Sequence, residues 1–187
     1  MIFVRDLAFK KGVDNAVDII NTCLGKTSLN DLNVYVYEND RLEMKLGCCV
    51  NNRNRMYKQG RFSKYDKVIE LSPNLKVLDE KEQVNTIVHE FLHALKECEK
   101  DKHGGKWLEY SKIINAKTNL GITATYGNKT MDAIIKAKGV NRPKYIIRCS
   151  CCGQAVDYKT RECNVTKYSH LYKSGCCRAS LIVESGR

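Results

Sequence analysis

No apolar run in this chain of 187 residues approaches the roughly 18 that a membrane-spanning helix needs, so no membrane partner is expected. Charge is not gathered into the long single-sign blocks of a disordered chain. There is no low-complexity segment and no internal repeat, which sets aside solenoids and flexible tails. The opening stretch MIFVRDLAFKKG carries Arg5 and Asp6 where a secretory apolar region should continue. A cytoplasmic protein is therefore expected, nucleoid-associated if bacterial or phage. Acidic residues are in short supply, 21 against 32 Lys and Arg, and the net charge of +11 favours a polyanionic partner such as nucleic acid. Histidine is scarcer still: four in all, of which three fall within TIVHEFLHALKECEKDKHGGKW, Thr86 to Trp107.

Cysteine is abundant instead, with ten residues. Without an export signal, clustered cysteines point to metal rather than disulfides. Cys23, Cys48, Cys49 and Cys98 are scattered among apolar residues and read as ordinary buried thiols. The other six lie after NRPKY, where composition changes. That change places a boundary near residue 141 and divides the chain into 1–140 and 141–187.

Hydrophobic periodicity predicts an amphipathic helix over Lys11–Gly25 and strands at Leu32–Glu38, in LGCCVNN, and at Lys67–Ser72, the last ended by SPN. The best-defined helix starts at Asp79, with Glu82 completing a capping box, and carries an apolar stripe of Val84, Val88, Phe91, Leu92 and Leu95. A further helix follows over Lys106–Thr118, then a loop in NLGITATYGN and a short helix in TMDAIIKAKG. Between the strands lies RNRMYKQGRFSKYDK. Its six basic residues, Arg53, Arg55, Lys58, Arg61, Lys64 and Lys67, stand against Asp66 alone, a net +5. Tyr57, Phe62 and Tyr65 interleave with them, a pattern that suits a phosphate backbone with stacked unpaired bases.

His89 and His93 stand one helical turn apart, so both imidazoles reach the same side and can share an ion. Glu90 is about 100° away round the helix, out of reach as a ligand on that face but able to reach a metal-bound water. This is the H-E-x-x-H arrangement of two zinc ligands and a general base. A catalytic zinc needs a third protein ligand, and His103 qualifies: Gly104 and Gly105 behind it let the chain fold back towards the pair. These histidines are expected to point away from the apolar stripe.

In the tail, Cys149 and Cys152 form a C-x-x-C knuckle with Gly153 supporting the turn. Cys176 and Cys177 are adjacent, which is awkward for two ligands on one tetrahedral ion. One of them is expected to ligate, with His170 or Cys163 supplying the other position. All four places would then be filled, making the site structural. Ten basic residues against three acids from Lys138 to Arg187 give a second basic cluster, net +7.

At HEFLHA, KDKH and GGKW, with Ala94, Gly104 and Trp107 in place, the chain resembles the SprT-like family, which includes the DNA-dependent protease Spartan. KVIELSPNL resembles the strand before that family's active helix, and YIIRCSCCG, Tyr145 to Gly153, resembles the opening of its C-terminal zinc ribbon. The resemblance implies an α+β, zincin-like peptidase domain with a small sheet, followed by a zinc ribbon. It implies a zinc-dependent endopeptidase with His89, His93 and His103 as ligands and Glu90 as acid/base. The implied substrate is protein bound or crosslinked to DNA, single-stranded DNA being the favoured activator. The family's closing spacing, matched by Cys177-x-x-x-Leu181, favours Cys149, Cys152, His170 and Cys177 as the ribbon set, where a second C-x-x-C is otherwise expected. Two rival readings stand beside this one: a nucleic-acid-binding zinc adaptor with an inert peptidase-like site, and a metal-dependent hydrolase of another bond.

Overall fold

The computed structural model describes residues 1–42, 45–51, 62–125, 144–159 and 161–185. The short helix expected in TMDAIIKAKG and the residues Arg53, Arg55, Tyr57, Lys58 and Arg61 lie outside the described residues. The chain is α+β and divides into two compact units, Met1–Thr125 and Tyr126–Arg187. No helix among the described residues is long and apolar enough to cross a membrane.

The first unit holds β1 (Ile2–Val4), α1 (Lys10–Leu24), β2 (Val34–Glu38), β3 (Gly47–Asn51), β4 (Lys67–Leu71), α2 (Glu80–Ala94) and α3 (Gly105–Thr118). Its sheet has the order β1-β2-β4-β3; β1, β2 and β4 are parallel, and β3 runs antiparallel along the edge. Ladder partners share a face. Val34, Val36, Ile69 and Leu71, together with Gly47 and Cys49, therefore look one way, the side on which α2 packs. Phe3, Tyr35, Tyr37, Val68 and Glu70 look the other way.

Strand β4 is buried along its whole length: it is bonded on both sides, α2 packs on one face, and Tyr35 and Tyr65 cluster with Val68 on the other. It ends where Ser72 and Pro73 open a 3-10 turn; the Ser72 hydroxyl donates to the Leu42 carbonyl at 2.6 Å and accepts from the Asn74 N–H. Asp79 then caps α2, its carboxylate accepting from the Glu82 N–H at 2.8 Å. Losing such a cap costs about 1 kcal/mol. Ile87, Val88, Phe91 and Leu92 of α2 are fully buried, each contributing roughly 1.5–3 kcal/mol.

Helix α1 lies against α2 so closely that a Cβ on Gly12 would stand 2.9 Å from Ile87 Cδ1. Its buried stripe is Val13, Ala16, Ile20 and Cys23, rotated slightly from the expected Val13, Val17, Ile20 and Leu24. In α3 the buried positions are Trp107, Ser111 and Ile114, while Leu108 is exposed. Of the four scattered thiols, Cys23 and Cys98 are buried, whereas Cys48 and Cys49 on the edge strand are only partly covered.

Of the aromatic residues expected to stack on bases, Tyr65 is core and Phe62 is partly buried against it. Tyr65 is buried, and with Phe62 it packs on Tyr35 and Tyr37, at ring separations of 4.9 Å for Tyr35–Tyr65 and 5.2 Å for Tyr35–Phe62. Burial of apolar rings outweighs their use on the surface here. Lys67 is likewise withdrawn, buried on β4 and paired with Glu99 at 3.3 Å. Lys64 remains exposed, its ammonium 5.4 Å above the Tyr65 ring.

The second unit is a three-stranded antiparallel sheet, β6 (Ala155–Lys159), β5 (Tyr145–Cys149) and β7 (Leu181–Ser185), with β5 central. Ile147, Cys149 and Leu181 are buried in it.

Candidate metal and catalytic site

The α2 histidines, expected to point away from the apolar stripe, are not left in the open: His89 is buried and His93 half-buried. His89 and Glu90 are both buried, 6% and 4% exposed: α3 and the residue 119–125 loop close over His89, and Glu90 lies against Gly47 of β3. The loop His103-Gly104-Gly105 brings the third imidazole back. The Gly104 N–H donates to the Asp101 carbonyl at 2.6 Å, and the Lys106 N–H donates to the Asp101 carboxylate at 2.7 Å. Gly105 has φ +42°, and the Asp101 carboxylate occupies the space where its Cβ would be. Only glycine allows that conformation and that approach together.

The three Nε2 atoms converge: His89–His93 is 3.2 Å, His93–His103 is 3.0 Å and His89–His103 is 3.1 Å. Trp107, fully buried, forms the floor, its ring 4.9, 5.5 and 4.7 Å from those of His89, His93 and His103. Zinc–nitrogen bonds of about 2.0–2.1 Å at tetrahedral angles set ligand nitrogens about 3.3 Å apart, so the three donors fit zinc. The tautomer fits as well. His89 Nδ1 lies 3.0 Å from the Thr123 carbonyl, which can only accept, so Nδ1 carries the proton and Nε2 presents its lone pair.

Burial, then the neighbouring His93 and His103, lowers the His89 pKa to about 3; burial and His103 lower that of His93 to about 4. Burial lowers His103 too. All three are thus held neutral, the form that ligates. Unfolded histidine takes up a proton near pH 6.5, so between about 6.5 and 4 the unfolded chain binds more protons than the folded one. Stability of the metal-free protein should be complete above that range and fall as pH drops through it. Melting of chelator-treated protein at about pH 7.5 and about pH 5 checks this; equal melting temperatures would sink it.

Glu90 points at the edge strand. A Cβ on Gly47 would stand 2.7 Å from Glu90 Cγ and 2.9 Å from Oε1, so the carboxylate rests where a side chain is missing. Burial, and after it the Glu90 carboxylate, pushes the Cys48 and Cys49 thiols up. Nothing in the sequence pattern marks Gly47, Thr123 or Asp101; they are found only by proximity.

The site therefore holds three neutral nitrogen donors, two on α2 and one from the loop before α3, and a buried carboxylate on α2. The model of the SprT-like family matches residues 18–126, more than half the chain, spanning β2 to α3 and all three histidines. The chain belongs to the SprT-like family. No curated protein and no solved structure matches it significantly. The SprT-like assignment makes the first unit a metallopeptidase-like domain.

Beyond the SprT-like match, Cys149, Cys152, Cys176 and Cys177 place their sulfur atoms within 4.8 Å of one another. Cys152 and Cys176 are 3.5 Å apart. Zinc–sulfur bonds of about 2.3 Å set tetrahedral thiolates about 3.8 Å apart, so this set is compatible with zinc as well. The Ser174 hydroxyl donates to Cys149 Sγ at 3.2 Å; that bond and the Cys152 and Cys151 N–H groups lower the Cys149 thiol to about 6, towards the ligating thiolate. His170 does not join the set: it is exposed on the Ser169–Leu171 turn, and Cys176 takes the place expected for it. The adjacent pair works because a tight hairpin curls both sulfurs inward: Ser174 N–H donates to Ala179, Arg178 N–H donates to Ser174, and Arg178 takes φ +54°. Cys163 also lies outside the set, at the start of the short helix Asn164–Lys167.

Proposed function

We propose that this SprT-like protein is a zinc-dependent endopeptidase acting on protein bound or crosslinked to DNA, with a second, structural zinc on the four cysteines. The observation that carries the peptidase reading is the convergence of His89, His93 and His103, with Glu90 buried on α2 between the first two. Zinc held there would supply a Lewis acid that polarises the scissile carbonyl and acidifies water. Glu90 accepts the water proton on a carboxylate oxygen and returns it to the leaving nitrogen. Trp107 excludes bulk water beneath the histidines, which strengthens the field at the reacting atoms.

The DNA part rests on charge and on exposed aromatics. Lys64 is open on the first unit. On the second unit Tyr168 and Tyr172 are exposed, 50% and 38%, among Lys167, His170, Lys173 and Arg178. Such tyrosines suit stacking on unpaired bases, and the cations suit phosphates. Arg53, Arg55, Lys58 and Arg61 are further candidates from sequence.

The test is cleavage of a basic DNA-bound protein with and without single-stranded DNA, alongside zinc analysis. Stimulation by DNA with two zinc ions per chain is expected. Equal cleavage in both conditions would remove DNA from the reading. No cleavage by a chain that binds both zinc and DNA would put the adaptor reading ahead.

A further inference from the structure

We infer that Asn115, on α3, is a positioning residue for the metal site: it clamps the loop whose Thr123 carbonyl holds the His89 imidazole in its ligating tautomer. The inference rests on the zinc reading of the histidine set. The Asn115 side-chain amide grips both backbone groups of one residue, Ile122. Its Nδ2 donates to the Ile122 carbonyl at 2.8 Å, and its Oδ1 accepts from the Ile122 N–H at 2.7 Å. Ile122 itself is buried, 3% exposed, which anchors the loop on a second side. One residue later, the Thr123 carbonyl meets His89 Nδ1 at 3.0 Å.

Among the described residues the loop has few other contacts to define it. It leaves α3 through Asn119, which is left-handed at φ 55°, and passes Gly121 at φ 78°. It is an irregular stretch whose backbone groups cannot satisfy one another, so side chains must do so. Asn85, one turn before His89 on the same face of α2, reaches the Leu120 and Gly121 carbonyls at 3.4 Å, longer and weaker contacts than those of Asn115. Among the described residues, the loop is thus held by the strong grip from α3, two weak ones from α2, the buried Ile122 side chain, the His89 bond and a bond of its own from the Thr123 hydroxyl to the Thr125 carbonyl at 2.6 Å. Releasing the strong grip frees the Thr123 carbonyl to move. His89 Nδ1 then loses the acceptor that keeps its proton there, and Nε2 is no longer reliably bare.

Two readouts test this in the full chain, and neither requires turnover. Long-range 1H–15N correlation of histidine at neutral pH in protein stripped of metal should show wild-type His89 protonated at Nδ1, and Asn115→Ala should shift it towards the Nε2–H form. Cobalt titration separates the two metal sites, because the cysteine set gives thiolate charge-transfer absorption while the histidine set gives d–d bands alone. Asn115→Ala should weaken the histidine component by about 10- to 100-fold, the usual effect of losing such an outer partner, and leave the charge-transfer component unchanged. Asn115→Asp keeps the acceptor for the Ile122 N–H and loses the donor, so its loss should be smaller. If Asn115→Ala does not fold, Asn115→Asp carries the test alone, with a shifted tautomer and a selective loss of the histidine component expected. An unchanged His89 tautomer with cobalt affinity within about twofold of wild type would overturn the inference. A wild-type protein without the histidine component would overturn the zinc reading itself, a result distinct from an Asn115 variant that binds normally.

Discussion

Glu90→Gln is expected to lose peptidase activity by at least about 100-fold, and up to about 10,000-fold, while binding as much zinc as the wild type. Glutamine has nearly the same volume, so the buried position, 4% exposed, stays filled and α2 keeps its packing. The three imidazoles are untouched, so zinc content and melting temperature should hold. Only the ability to accept a proton goes. Cleavage of a DNA-bound protein by matched amounts of the two proteins, with zinc quantified in each, provides the check. Activity within about tenfold of wild type would mean that Glu90 is not the base. Loss of zinc together with activity would mean that Glu90 supports the site's structure instead.

Gly47→Ala should give the second-largest effect, from a residue that neither ligates nor donates. The new methyl would arrive 2.7 Å from Glu90 Cγ and 2.9 Å from Oε1, closer than real Cβ contacts allow. Something must move, and a side chain rotates more cheaply than a strand hydrogen-bonded along its length: Gly47 pairs with Leu71 across β3 and β4. The carboxylate is therefore displaced while the sheet holds. A shift of about 1 Å in a catalytic group costs about 100-fold in rate, so kcat should drop by roughly that factor with zinc binding intact. If β3 yields instead, stability falls by about 1–3 kcal/mol, as in overpacked cores, and activity largely survives. Thermal melting alongside kcat separates the two outcomes, and unchanged kcat would remove Gly47 from any role in placing Glu90.

Much of this architecture was legible in the residues. β-branched and aromatic alternation marks β2, and KVIELS with SPN behind it marks β4 and its end. Asp79 marked the start of α2, since its carboxylate satisfies an N–H that the helix leaves free. The spacing of His89 and His93 carried their juxtaposition, since helix geometry alone puts positions i and i+4 side by side. The C-x-x-C of Cys149 and Cys152 carried one half of the cysteine cluster for a similar local reason.

What failed did so where contacts are distant in sequence or where burial competes with function. Tyr65 and Phe62 alternate with basic residues, yet pack on Tyr35 and Tyr37, whose place on the sheet no local pattern reveals. Adjacency makes Cys176 look unsuited beside Cys177 and favours His170 in the sequence, but the hairpin from Ser174 to Ala179 turns both sulfurs to one side.

The sequence by itself determined the chemistry available to this SprT-like protein: three histidines and a glutamate at helical and loop spacing, and a cysteine-rich basic tail. Tertiary structure alone decided how that chemistry is held. Gly47 meets Glu90 across 43 positions of the chain, Thr123 meets His89 across 34, and Trp107 underlies all three imidazoles. The physical reason is that ligand identity is a property of side chains, which local spacing records. Tautomer, burial and the aim of a carboxylate are properties of whatever packs against those side chains, and only folding brings those neighbours together.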